Sequence, residues 1–250
     1  MNDNRPQAPQ PLNLQTLYNI RDLGGHLTAD GRKTVYGRFI RSDAPVRLSP
    51  SDLAALLALP VRHVIDLRSQ SEIRDQPHDL RNHPDIRYHN IPLLGASLEH
   101  DMMRLQQKNG HQPISLADLY RHVLDESQPA IGTVMRTLAA ADHGARLFNC
   151  SHGKDRTGLI AALLLTLADV DNSRIIDDYQ VSESLLKPWY DTFIEQIPEP
   201  DRRFFITPPQ FMRATLAHIH NKYHDITAYL LQCGVPLTVQ ERLRQLLLTP

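Results

Sequence analysis

The run Asn149-Cys150-Ser151-His152-Gly153-Lys154-Asp155-Arg156-Thr157-Gly158 sets a thiol and a guanidinium on either side of one short turn. Residues 146–150 have a strand pattern and 157–168 are nearly all apolar over helical length, so Cys150 leaves a strand and Arg156 enters a helix. Gly153 permits the unusual dihedrals such a turn needs. Successive backbone N–H groups in the turn converge on one point, and the helix N-terminus adds positive potential, which makes a cradle for a phosphate dianion. Arg156 can set its planar fork against two phosphate oxygens. Cysteines at helix N-termini beside cations titrate at roughly 3.5–7.5 instead of about 8.5, so a thiolate is available at neutral pH. A thiolate held in line with a phosphate is what covalent phosphoryl transfer requires. The candidate anion-binding set is Ser151, through its N–H, with His152, Gly153, Lys154, Thr157 and Gly158. The alternative is a buried cysteine in a strand–turn–helix that binds nothing. It leaves the unbroken polar run from Lys154 to Thr157 before a core helix without a reason.

The elements that must position this turn alternate in type. Residues 35–41, 61–67 and 86–91 read as strands. Ser49-Pro50-Ser51-Asp52 offers an N-cap, a proline and an early acid for a helix ending near Leu59. Ser115 and Asp118 open another helix, and 131–141 is amphipathic. Helices are expected over 173–186, 189–197, 208–223 and 226–232, with a capping box of Thr238 and Glu241 for the last. Strands alternating with helices imply an α/β fold, a central, mostly parallel sheet flanked by helices with a helical C-terminal half. The expected division is a polar tail over 1–12 and one domain over 13–250. Hydrophobic residues make up 41 % and charged residues 22 % of the 250, with a formal net charge of -1. That composition is globular and supplies no overall field toward nucleic acid. The longest apolar run, 159–167, is about half a membrane span. No signal-peptide pattern precedes it, and a working thiol calls for a reducing compartment, so cytoplasm is the expected location. The histidines show no metal-ligand spacing.

The 149–158 segment resembles the phosphate-binding loop of the cysteine-dependent protein tyrosine phosphatase superfamily. Asn19-Ile20-Arg21-Asp22-Leu23-Gly24-Gly25 is similar to the N-terminal signature of a bacterial branch acting on phosphotyrosine and often on phosphoinositides. Arg41-Ser42-Asp43 and Asp66-Leu67-Arg68-Ser69 fall where that branch has short motifs. The resemblance implies a phosphatase domain that needs no metal or organic cofactor and acts as a monomer on a phosphorylated protein or phosphoinositide. It implies that Arg21 and Asp22 brace the loop from below, the alternative being a surface ion pair. That family usually has His before the cysteine; Asn149 here donates hydrogen bonds but carries no charge.

Hydrolysis needs an acid for the leaving oxygen and then a base for water. The upstream aspartates Asp118 and Asp125 sit in helical context without a Trp-Pro-Asp signature. Asp155 lies inside the loop, as in several phosphoinositide phosphatases; otherwise it is a helix-start carboxylate stabilised by the dipole. Asp66, at a strand end, is the other candidate; with Arg68 it either places an acid and a cation beside the phosphate or forms an ion pair. Lys154 adds charge at the mouth of the site or is a solvated lysine. Thr157 hydrogen-bonds the sulfur or is an ordinary helix-start hydroxyl. His152 rims the pocket or faces solvent, and Cys233 reads as a packed residue. Two further functions compete with a phosphatase, a phospho-binding module without turnover and a thiol-dependent arsenate or sulfur-handling enzyme.

Overall fold

A computed structural model describes residues 14–94, 98–108, 110, 114–141 and 143–249; the expected N-terminal tail lies outside them. Strands β1 (Arg21–Asp22), β2 (Phe39–Ser42), β3 (Val61–Asp66), β4 (Arg87–Asn90) and β5 (Ala145–Asn149) form one sheet in the order β1-β2-β5-β3-β4. Only β1 runs antiparallel to its neighbour. β5 lies at the centre with every residue buried. Its Asn149 pairs with Ser42 of β2 and with Asp66 of β3, so three strands end level where Cys150 leaves the sheet. Ligands of open α/β sheets bind at that edge.

Alternation along the strands separates two cores. Ala145 and Leu147 pack with Ile40, Val64 and Leu56 of helix α1 (Pro50–Ala58), while Phe148 joins Phe39 and Ile65 on the other face. That second face carries α3 (Leu98–Lys108), α4 (Leu116–Glu126), α5 (Gln128–Ala140), α6 (Arg156–Leu167), α7 (Asn172–Tyr190), α9 (Pro209–Tyr223), α10 (Ile226–Gln232) and α11 (Leu237–Leu248), whereas α2 (Gln70–Asp75) and the short α8 (Glu199–Arg202) add no residue to either core. All of α6 except Thr166 is buried, which is why its sequence lacks a polar face. The buried Arg146 guanidinium donates to the carbonyls of Leu138, Ala141 and Gly144 and so satisfies the end of α5. No helix among the described residues is long and apolar enough to cross a membrane.

Ser49 caps α1 and Ser115 with Asp118 forms the capping box of α4, as the side chains dictate. Three expectations change. The helices expected over 173–186 and 189–197 are one helix, α7, running through Pro188, followed by a single 3-10 turn over Ile194–Gln196. Pro188 sits in the last turn, where a missing N–H removes only one bond of the ladder. The Thr238–Glu241 box does not form, because the N-cap of α11 is Pro236, two residues before Thr238. Finally, α2 and α3 have no counterpart in the sequence reading.

Gly132 on α5 supplies a close approach. A Cβ there would lie 1.8 Å from the Cys233 carbonyl oxygen. Glycine to alanine inside a helix ordinarily stabilises by about 0.5–1 kcal/mol, but here the overlap reverses the sign. Gly132→Ala should lower unfolding free energy by about 1–3 kcal/mol in urea titration; a stabilised variant would show that this packing is wrong.

Candidate active site

Cys150 heads the loop and is 2 % exposed. Gly153 takes φ +64°, and a Cβ there would lie 2.4 Å from the Asp43 nitrogen, so the turn is pressed against the end of β2 and admits only glycine. Among the described residues, the N–H groups of Gly153 to Thr157 reach no protein acceptor. Helices α1, α2, α4, α7 and α10 each carry a side-chain cap, whereas Asp155, the N-cap of α6, makes none. The positive end of the most buried helix is therefore left open to an anion.

Arg156 is 5 % exposed and already held by a carboxylate. Its Nη1 and Nη2 donate to Glu72 Oε2 and Oε1 at 2.7 and 2.6 Å, while Nε is buried without a partner among the described residues. Glu72 also accepts from the Ser151 hydroxyl at 2.5 Å and, at the start of α2, from the Ser69 N–H in a capping box. Burial alone would raise the Glu72 pKa, but the hydrogen bonds and charge of Arg156, then Ser151 and Ser69, hold it down to about 2. The pair fixes the plane of the guanidinium and leaves its Nε side for an oxyanion. Ser151 thus acts through its hydroxyl as well.

Asp155 Oδ1 accepts from Lys154 Nζ at 2.9 Å and from the Tyr120 hydroxyl, which meets the Tyr179 hydroxyl at 2.9 Å. Burial pushes this carboxyl up, but the Lys154 charge and the Tyr120 hydrogen bond outweigh it and the net shift is downward. Lys154 is not at the mouth of the site. Its side chain is fully buried, and Nζ also donates to the Phe204 carbonyl at 3.0 Å, tying the loop to the segment after α8. The Thr157 hydroxyl is buried with no partner among the described residues and does not bond the sulfur. Gly158 lies in the first turn of α6, its N–H bonded to the Lys154 carbonyl.

Two polar networks support the loop. On the β2 side, Asp178 of α7 receives Arg21 Nε at 2.8 Å and Arg41 Nη1, all of them 2 % exposed or less. Arg41 then donates to the Gly153 carbonyl at 2.7 Å, and Asn19, itself held by Arg21, donates to the His152 carbonyl at 2.9 Å. Asp22 does not share this brace: it accepts from the N–H groups of Gly24 and Gly37 and closes the β1–β2 connection. On the β3 side, Asp66 is fully buried and accepts from Arg68, the Tyr88 hydroxyl and the Asn149 amide. It forms the ion pair with Arg68, not an acid facing the loop. Asp118 closes the α4 capping box, and Asp125 holds His218, Lys222 and Tyr223; neither joins the site. Among the described residues no three His, Cys, Asp or Glu side chains gather as a metal would require.

The family model described as "Tyrosine phosphatase family" matches residues 12–249. The chain belongs to the tyrosine phosphatase family. It is 39 % identical over 149 residues to a tyrosine-protein phosphatase of Nostoc commune, covering 60 % of this chain and 49 % of that protein. It is 32 % identical over 185 residues to a putative tyrosine-protein phosphatase of Cupriavidus necator, covering 70 % and 66 %. Triple specificity protein phosphatase PtpB of Mycobacterium tuberculosis is 26 % identical over 272 residues, 92 % of this chain and 96 % of that one. The chain thus spans about half of the Nostoc relative and 66 % of the Cupriavidus one.

Within this family member, the sequence reading missed Glu72, Asp178 and an aromatic wall. Glu72 left a trace, since Ser69 followed by Glu three residues on is a capping-box pattern. Asp178 left none, standing 157 residues from Arg21. The wall forms around His152, whose ring lies 5.1 Å from Trp189, 6.0 Å from Tyr190 and 6.4 Å from Phe205. His152 thus rims the loop within a cluster of rings.

Asp178→Asn would leave two buried guanidiniums without their anion, and should destabilise by about 3–5 kcal/mol in chemical denaturation; a loss under 1 kcal/mol would refute the brace. Glu72 gives a pH signature. Because its folded pKa lies below the ordinary 4.5, its ion pair contributes stability above that pH and loses it as pH falls through about 2. Glu72→Gln should be less stable than wild type at neutral pH, with the gap closing across that acid range; a gap independent of pH would argue against the pairing.

Proposed function

We propose that the chain is a phosphatase hydrolysing phosphate monoesters, phosphotyrosine foremost, through a cysteinyl-phosphate intermediate on Cys150. The observation that carries this reading is the loop itself. A buried thiol, unpartnered N–H groups, an uncapped helix and the Nε of a fixed Arg156 surround one place for an oxyanion. The Cys150 sulfur attacks phosphorus as the bond to the leaving oxygen breaks, and that oxygen takes a proton. Water then attacks, the S–P bond breaks, and Asp155 takes the proton of the water. Asp155 rests as a carboxylate, which suits this second step. In the first step the proton enters with the ester monoanion, since phosphate esters hold their second proton up to about pH 6, and passes through Asp155 to the leaving oxygen. Asp66, Arg68, Asn149 and Arg21 position the loop.

The wall of His152, Trp189, Tyr190 and Phe205 favours a substrate whose phosphate stands on an aromatic ring, because offset and edge-on ring contacts stabilise such a ligand. The names of the relatives agree with phosphotyrosine, and the triple specificity of the Mycobacterium protein supports assaying other esters, phosphoinositides included.

Under reducing conditions, wild type should release phosphate from a phosphotyrosine peptide, and Cys150→Ser should bind that peptide without turnover. The ratio of rates on the peptide and on phosphoinositides ranks protein against lipid. Tight binding by both forms with release by neither would replace the enzyme with a phospho-binding module.

A further inference from the structure

Helix α7 addresses the phosphate loop with two tyrosines. Tyr179 and Tyr190 are eleven residues apart in the chain, which places them about 20° apart around a helix of 3.6 residues per turn. With Ser182 and Leu186 they form one buried stripe. The Tyr179 hydroxyl is satisfied by that of Tyr120, which in turn donates to Asp155. The Tyr190 hydroxyl has no such partner.

Tyr190 is 5 % exposed, and its hydroxyl is buried without a hydrogen bond among the described residues. The ring is fixed edge-on against His152 of the loop at 6.0 Å and against Phe205 at 4.9 Å. Phe205 is itself held in place, since Lys154 of the loop bonds the carbonyls of Phe204 and Ile206 on either side of it. Burial first, then the charges of Asp155, Cys150 and Asp43, push the Tyr190 pKa well above the ordinary phenol value, so the hydroxyl stays a neutral donor facing the anions of the site. A buried hydroxyl without a partner costs about 1–3 kcal/mol, and phenylalanine would fill the same space without that cost. Among the described residues, Arg156 Nε and Thr157 Oγ1 at the end of the loop are also buried without a partner.

We propose that the Tyr190 hydroxyl is a hydrogen-bond donor to the phosphate ester held by the 150–156 loop, a substrate-binding group supplied by α7. This rests on the phosphatase reading and adds to it a contact from outside the loop. It also gives the helical half of the chain a direct part in the site.

The test is Tyr190→Phe, measured three ways. Thermal unfolding without ligand should be unchanged or shifted upward, because an unsatisfied hydroxyl is removed while the ring packing stays. Turnover of an aryl phosphate should fall about tenfold in kcat/KM, the scale of one hydrogen bond to a charged acceptor. In the Cys150→Ser background, the phenylalanine variant should bind a phosphotyrosine peptide more weakly by a similar factor, which separates binding from chemistry. An active wild type matched by Tyr190→Phe in turnover and binding overturns the proposal alone. So does a variant that loses activity together with several degrees of thermal stability, since the hydroxyl would then be holding the fold. A wild type that neither binds nor hydrolyses the aryl phosphate overturns the phosphatase reading and this contact with it.

Discussion

The Asp178 carboxylate, set between Arg21 and Arg41 with all three side chains essentially out of solvent, is the interaction on which the site depends. It joins β1, β2 and α7, elements that share no local sequence, and its reach extends to the loop because Arg41 carries the Gly153 carbonyl and Arg21 carries Asn19. Burial of two guanidiniums around one carboxylate is costly. Desolvation, with the charge of Arg41, lowers Arg21 to about 10, still protonated at neutral pH, while the two cations hold Asp178 well below the carboxylate range. Such a cluster is weak evidence for stability as such, because an apolar replacement can be as stable. What it provides is position. Carbonyls of the loop are held from below, so the N–H groups face the other way.

The opposite side of β5 is built with neutral groups around one ion pair. The Leu80 N–H donates to His78 Nδ1, so the ring proton sits on Nε2 and is donated to Asn149 Oδ1. Desolvation lowers His78 to about 4, so the ring is neutral at neutral pH. The Asn149 amide then turns its Nδ2 to Asp66, whose remaining capacity goes to Arg68 and Tyr88. With Asn at 149 the position beneath the thiol is a relay between a neutral histidine and a paired carboxylate, and it adds no charge of its own.

What was legible in the chain was whatever is encoded within one turn or one element. The strand–turn–helix around Cys150, the serine caps at Ser49 and Ser115, and the sheet-with-helices architecture all depend on neighbours in sequence. Partners brought together by the fold were not legible: Glu72 stands 84 residues from Arg156, and Asp178 stands 137 from Arg41. The burial of Lys154 is hidden for the same reason, since the Phe204 carbonyl that takes its ammonium lies 50 residues downstream. The continuity of α7 through Pro188 is likewise not a local property, since Tyr190 beyond it packs on His152 of the loop.

These pairings decide where the attraction for a phosphate originates. Arg156 already faces Glu72, Lys154 faces Asp155, and Arg21 and Arg41 face Asp178, so each cation close to the loop meets the substrate with a carboxylate at its back. Simple counting of positive residues in 149–158 therefore overstates the field. Among the described residues, the donors left without a partner are the dipolar loop N–H groups and uncapped start of α6, with the Nε of the paired Arg156 guanidinium. Dipoles of fixed direction discriminate by geometry more than by charge, since their pull falls steeply once an oxygen leaves the point on which they converge. Fixed donors of this kind favour a tetrahedral oxyanion held in one orientation over an anion of another shape.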